Sequence, residues 1–359
     1  MTTKPNRSAV GALASVAVDA GLPGGDPRHA PSPRHARWSI TLLNDRRDVA
    51  FVGLMVESVT AATCGIALWL SHRPMLLAGL LYWAGLFLWV FDRFTLMLHC
   101  TSHRPLFRPK YRVLNLLIPW VLGPFLGQTP NTYFAHHIAM HHREENLGGD
   151  LSQTISFRRD RFRDWLRYYI RFMCLGLLDL CRYLVRRKRF KLLRNVLLGE
   201  GAYWSSMLVL AIARPAATFV VFLGPLLFIR TLMMIGNWGQ HAFVCAAHPD
   251  DAYRAGVTCV NTRYNRRCFN DGYHALHHLH PRCHWTEHPS KFERDLRSYG
   301  EHDAVVFDGL DFFQVWLCLM LKRWQVLERH FVRLPGAPQR GVEDAIVFLQ
   351  GRVASIVAR

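Results

Sequence analysis

What most limits the folds open to this chain is the way its apolar residues are gathered. They stand in long runs that a water-soluble protein of this size would avoid. The first, "VAFVGLMVESVTAATCGIALWL" (49–70), carries one charged residue, Glu57. At about 1.5 Å per residue it is long enough to cross a bilayer. After "SHRP" comes "MLLAGLLYWAGLFLWVF" (75–91), then Asp92, Arg93 and "FTLML". So short a link predicts an antiparallel hairpin with both outer ends on one side of a membrane. A further apolar stretch, from Val196 to Gly236, is too long for one ordinary span and is broken by "ARP" (213–215). Arg214 at a turn and Pro215 at the start of the following helix predict a second hairpin. Glu200, near the beginning of its first arm, fits a span least well.

The intervening segments read differently. "YRVLNLLIPWVLGPFLG" (111–127) is apolar but holds two Pro and two Gly, which suits a re-entrant or interfacial segment better than a crossing. The stretch 157–194 is dense in Arg and Lys. Within it, "WLRYYIRFMCLGLLDLCRYLV" (165–185) is read as an interfacial helix, apolar side down and basic side toward lipid phosphates; the other assignment is a third full crossing. "HDAVVFDGLDFFQVWLCLMLKRW" (302–324) reads as an amphipathic or docking helix. The domain boundaries that follow are a flexible, Gly/Pro/Ala/Ser-rich N-terminal tail (1–40), a membrane domain (41–325) and a C-terminal tail (326–359).

Charge and cysteine usage narrow the class. The net charge is +18, from 44 Lys and Arg against 26 Asp and Glu. Beside long apolar runs, that balance points to positive cytoplasmic loops and membrane lipids as partners, not to nucleic acid. The nine Cys form no CxxC pair and no evenly spaced framework, which fits a reducing compartment.

Four histidine-bearing stretches then stand out: "HCTSH" (99–103), "HHIAMHH" (136–142), "NWGQH" (237–241) and "HALHH" (274–278). The two hairpins place all four on one face of the membrane, and the positive-inside tendency makes that face cytoplasmic. His99 and His103 are four apart, so a continuing helix presents both on one side; His137 and His141 repeat the spacing. His274, His277 and His278 share a face at i, i+3 and i+4. With His241, and with His141 or His142 as the second-box partner, this makes eight imidazoles, too many for one ion and suited to two. Nitrogen ligands alone do not choose between iron, zinc, copper and nickel. No Cys-rich knuckle or HExxH is present for zinc, and a binuclear iron centre can turn O₂ against an inert lipid carbon. His29, His35, His72, His302 and His330 lack such company, and His280, His284 and His288 read as an ordinary loop, with orienting the ligand imidazoles or docking as the alternative.

At this point the chain resembles the membrane fatty acid desaturase/hydroxylase superfamily. Its three histidine boxes match "HCTSH", "HIAMHH" (137–142) and "HALHH" in order and separation, over roughly 50–300. The resemblance implies a four-helix transmembrane stem with a cytoplasmic, histidine-rich helical cap. It also implies two non-haem irons, a narrow acyl channel, and O₂ with two electrons from a separate carrier. Asn237 and His241 match an Asn four residues before an extra His in the acyl-CoA members. By similarity, one iron takes His99, His241, His274 and His278. The other takes His103, His277 and two of His137, His141 and His142, with Asn237 directly or through water. The second box departs from the compact HxxHH form, so its pairing stays open and the role of His136 undefined.

The expected activity is O₂-dependent desaturation of an acyl lipid or acyl-CoA, with no catalytic side chain beyond the metal centre. Hydroxylation of a fatty, sphingoid or carotenoid substrate is the alternative, and a membrane metal transporter a distant one. The chain has no HPGG stretch of the cytochrome b5 kind, so the electron donor, a ferredoxin or a cytochrome b5, is expected to be a separate protein. Glu144, Glu145, Asp150, Asp271 and Glu287, with Asn146 and Asn270, are candidates for orienting the ligand imidazoles.

Overall fold

The structure is a computed structural model that describes residues 39–71 and 75–356. The expected N-terminal tail, up to residue 38, and His29, His35 and His72 lie outside the described residues. Among the described residues helices dominate, and four are long and apolar enough to cross a membrane: α1 (Arg46–Leu70), α2 (Leu76–His103), α4 (Phe190–Ala213) and α5 (Pro215–Gln240). Between the pairs lies α3 (Phe162–Arg186). Pro215 opens α5 at its first helical position, where its missing N–H costs nothing, so the break expected at 213–215 is a turn between two helices. The chain divides into two compact units.

The apolar unit holds the described residues within 27–143 and 175–233. Only 28% to 44% of each helix's most apolar window is buried, and Leu76, Leu77, Val209 and Ile212 stand on outer faces. Faces like these are stable against lipid and not against water. Inside, Leu68, Tyr203, Met207, Val221, Phe222 and Leu226 form a shared core. The charges that looked awkward in the sequence are paired. Glu57 meets Arg93 across α1 and α2 at 2.6 Å, and the Arg214 guanidinium donates to the carbonyls of Trp69 and Ser71.

The 111–127 segment is not a span. It is a 3₁₀ turn (Pro109–Leu116), a π turn (Leu117–Leu122) and another 3₁₀ turn (Gly123–Leu126). Pro119 and Pro124 remove amide donors and clash with the preceding turn, so a regular α-helix cannot run through them. Gly127 ends the segment at φ 79, where a β-carbon would lie 2.5 Å from the Pro225 carbonyl oxygen. On α3, Trp165, Tyr168, Leu180 and Leu184 are buried, whereas Arg163, Arg167, Arg171, Arg182 and Arg186 are exposed.

The polar unit holds the described residues within 144–174 and 234–359. A two-stranded parallel ladder, β1 (Thr258–Val260) with β2 (Val306–Asp308), pairs Cys259 with Phe307, so the unit is not purely helical. β2 takes the start of what was expected to be one helix over 302–324. Gly309 turns the chain at φ 77, and Asp311 starts α7 (Phe312–Met320) with a reciprocal cap: each of Asp311 and Gln314 accepts from the other's amide at 2.9 Å. Around the ladder, Phe243, Val257, Phe307, Leu327 and Leu349 form one core. A second core of Tyr273, Ala275, Leu276, Phe292 and Tyr299 underlies the short helix α6 (His274–Leu279).

The end of the chain is not a tail. α8 (Trp324–His330) and α9 (Val342–Arg352) bring Leu327, Ala345, Leu349 and Val353 into the first core. The Arg352 guanidinium donates to the carbonyls of Arg254 and Asp303. The expected boundary at 325 therefore cuts through packed structure.

Candidate metal centre

In the apolar unit the first box closes α2. Because α2 continues unbroken to His103, His99 and His103 share a face, with ring centres 5.2 Å apart. The second box meets them by a different geometry from the one its spacing suggested. A helix over Thr132–His136 runs into a π turn at His137–His141, and the His142 amide donates to the carbonyl of His137, five residues back. This wider turn moves the next residue on the same face from i+4 to i+5. His142, not His141, therefore stands over His137, with Nε2 atoms 3.1 Å apart. His103 Nε2 lies 2.9 Å from His137 Nε2, and the His99 ring packs edge-on to His137 at 4.5 Å. His99, His103, His137 and His142 each bring one nitrogen to a spot where all lie within 4.8 Å of one another. His141 is buried, its ring stacked 5.6 Å from His137, and His136 lies 6.5 Å from His141.

Burial, then the rings of His99, His142, His103 and His141, push the His137 imidazole well below its ordinary pKa. A neutral ring keeps a lone pair for a metal.

The polar unit builds a second group. His241 follows α5 directly, and α6 carries His274 and His278 one turn apart on one face. Nε2 of His274 lies 3.0 Å from that of His241 and 3.1 Å from that of His278. All three rings are at most 9% exposed. His241 Nδ1 lies 3.2 Å from the Ala255 carbonyl; a carbonyl only accepts, so Nδ1 carries the hydrogen and Nε2 the lone pair. His277, on the same helix, is buried with its ring 6.0 Å from His278 and 6.4 Å from His288. Within the apolar unit His99 thus groups with His103 and the second box.

Other candidates serve as supports. The Asn237 amide nitrogen donates to the Ser152 carbonyl and to the Tyr168 hydroxyl, both at 2.8 Å. Asp271 accepts from Tyr264 at 2.6 Å and from Gln240, next to His241, at 3.2 Å. Asp150 accepts from the amide and hydroxyl of Ser152, Asn146 from the Thr154 amide, and Asn270 donates to the Trp285 carbonyl. Glu144 lies against Gly149, Glu145 holds a left-handed turn at φ 48, and Glu287 lies 3.7 Å from the Cys283 sulfur. His284 caps the turn Trp285–Glu287, and His288 is buried beside the Asn270 carbonyl.

Arg159 is a residue that sequence reasoning passed over. Fully buried, it donates to six backbone carbonyls, among them Ala242, Arg352 and Ala354. Thr154 adds a hydrogen bond to the His241 carbonyl at 2.7 Å. Nothing in "FRRDRFRD" marks one arginine from the next.

The donor sets fit a transition metal. Each is all-nitrogen and convergent, the first half-buried and the second largely buried, a combination that suits iron, zinc, copper or nickel and not magnesium or calcium. Membrane-length helices fit a membrane protein, and the grouped imidazoles could bind metal. The chain belongs to the fatty acid desaturase family, whose model matches residues 46–309. Membership implies an oxidoreductase with desaturase or related hydroxylase activity, and the family uses iron. No curated protein and no solved structure matches the chain.

Proposed function

We propose that this protein is an O₂-dependent desaturase acting on the acyl chain of a lipid or an acyl thioester, at a centre of two irons. The observation that carries the reading is the pair of convergent all-imidazole groups in a chain of this family. His99, His103, His137 and His142 hold one iron and His241, His274 and His278 hold the other, with His141 and His277 as further candidate ligands. Iron bound at these nitrogens supplies the oxidising power toward an unactivated methylene that no side chain has. The overall balance is –CH₂–CH₂– plus O₂, two electrons and two protons, giving –CH=CH– and two waters. The electrons come from a separate protein of the ferredoxin or cytochrome b5 type.

The chain's own residues orient this chemistry. The Ala255 carbonyl fixes the His241 tautomer, while Asn237, with Ser152 and Tyr168, holds the last turn of α5 beneath it. The histidine-bearing ends face the cytoplasm, where the basic residues of α3 meet lipid phosphates. A transporter would carry its ligands inside the spans. Here His99 and His103 close α2, and His241 follows α5.

Expression in a host of known lipid profile, followed by mass spectrometry, tests the proposal. A product lighter by two hydrogens, dependent on O₂ and absent in His274→Ala, is expected. A product heavier by one oxygen makes the protein a hydroxylase. No new product from iron-loaded protein with a competent donor removes the enzymatic reading.

A further inference from the structure

The π turn at His137–His141 decides which histidines of the second box face His103, yet "HIAMH" has no Pro or Gly to force it. What holds it lies some 40 to 70 residues further along the chain, on the end of α3 and on α4. Tyr183 and Arg189 both donate to the Ala139 carbonyl, at the middle of the π turn, at 3.1 Å. The start of the box is fixed as firmly. Glu200, ten residues into α4 and 4% exposed, accepts from the hydroxyls of Thr129 and Thr132 at 2.5 Å each and from Trp204 at 2.9 Å. Thr132 is the first residue of the helix leading to His137. Gly199 lets α4 approach so closely that a β-carbon there would collide with the Pro130 carbonyl.

A carboxylate in an apolar, membrane-length helix is costly and is kept where it has work to do. The same device recurs within this unit: Trp83 donates to the carbonyl of Val220 in the π turn of α5.

We propose that Glu200 is a positioning residue for the His137/His142 pair, setting the start of the second box while Tyr183 and Arg189 hold its π turn. The proposal rests on the reading of those histidines as metal ligands. Without the clamp the box relaxes to a regular helix, in which His141 replaces His142 on the face of His137.

Cobalt(II) titration of the detergent-purified full chain, followed by visible absorption, tests this without turnover. Glu200→Leu, and Tyr183→Phe combined with Arg189→Met, should each weaken one of two cobalt sites about 10–100-fold and alter its ligand-field bands. The other site should keep its affinity. Glu200→Gln, which retains a carbonyl acceptor for both threonines but turns an N–H toward the Trp204 donor and takes the carboxylate from Arg230, should fall between wild type and Glu200→Leu. Should Glu200→Leu fail to accumulate in membranes, the Tyr183/Arg189 pair decides. If His137→Ala loses a cobalt site while Glu200→Leu and the pair keep wild-type affinity and spectrum, the positioning role is wrong and the ligand assignment survives. If His137→Ala binds cobalt as wild type does, both fall.

Discussion

Replacing Arg159 by Met should unfold the polar unit at a markedly lower temperature and loosen its metal group. The arginine is fully buried and satisfies six carbonyl oxygens on three separate segments. Met fills similar volume and avoids burying a charge, so a swap of this kind is sometimes neutral. Here the partners are backbone carbonyls, which cannot be exchanged for apolar groups along with the arginine. Each buried acceptor left unmet costs about 1–3 kcal/mol. Four of the bonds, to Ala242, Thr154, Ile155 and Arg352, lie wholly in the interior. Allowing for water entering near the others, the loss is about 3–5 kcal/mol. For a unit of this size that corresponds to roughly 6–20 °C in Tm. Tryptophan fluorescence during heating in detergent reads it directly, since Trp238 donates to the Arg159 carbonyl. Because Ala242 follows His241, cobalt binding at the His241 group should weaken as well. A Tm within about 2 °C of wild type, with cobalt binding intact, would refute the reasoning.

Two further outcomes follow from the site itself. His142→Ala should cost as much cobalt affinity in the first group as His137→Ala, because the π turn sets both rings on one face; unchanged binding in His142→Ala would return the box to i, i+4 pairing. Asn237→Ala, which releases Ser152 and Tyr168 together, should weaken cobalt binding at the His241 group about tenfold, and Tyr168→Phe should cost less. Wild-type affinity in Asn237→Ala would separate that hydrogen-bond pair from the metal group.

Much of the frame was legible because its signals are local. Run length and Pro215 marked out the four membrane-length helices, and the spacing of His99 with His103 and of His274 with His278 placed each pair on one helix face. The second box was not, for a physical reason. An α turn and a π turn place the same five residues in the same order, and the choice between them depends on donors from Tyr183 and Arg189, far along the chain. Arg159 was hidden for a related reason: one arginine in an arginine-rich stretch becomes special only through carbonyls that arrive from Ala242 and Ala354. The C-terminal helices were overlooked because Val342–Arg352 carries Glu343 and Asp344 in its first turn. Its apolar positions mean little until Ala345 and Leu349 are seen in the core.

The central claim is that distant imidazoles assemble into iron sites. Iron analysis of the detergent-purified chain, joined to X-ray absorption at the iron edge, measures it most directly. The account predicts two irons per chain in mainly nitrogen surroundings, with one lost in His103→Ala and one in His274→Ala. Zinc in place of iron, or iron content unchanged in both variants, would contradict it.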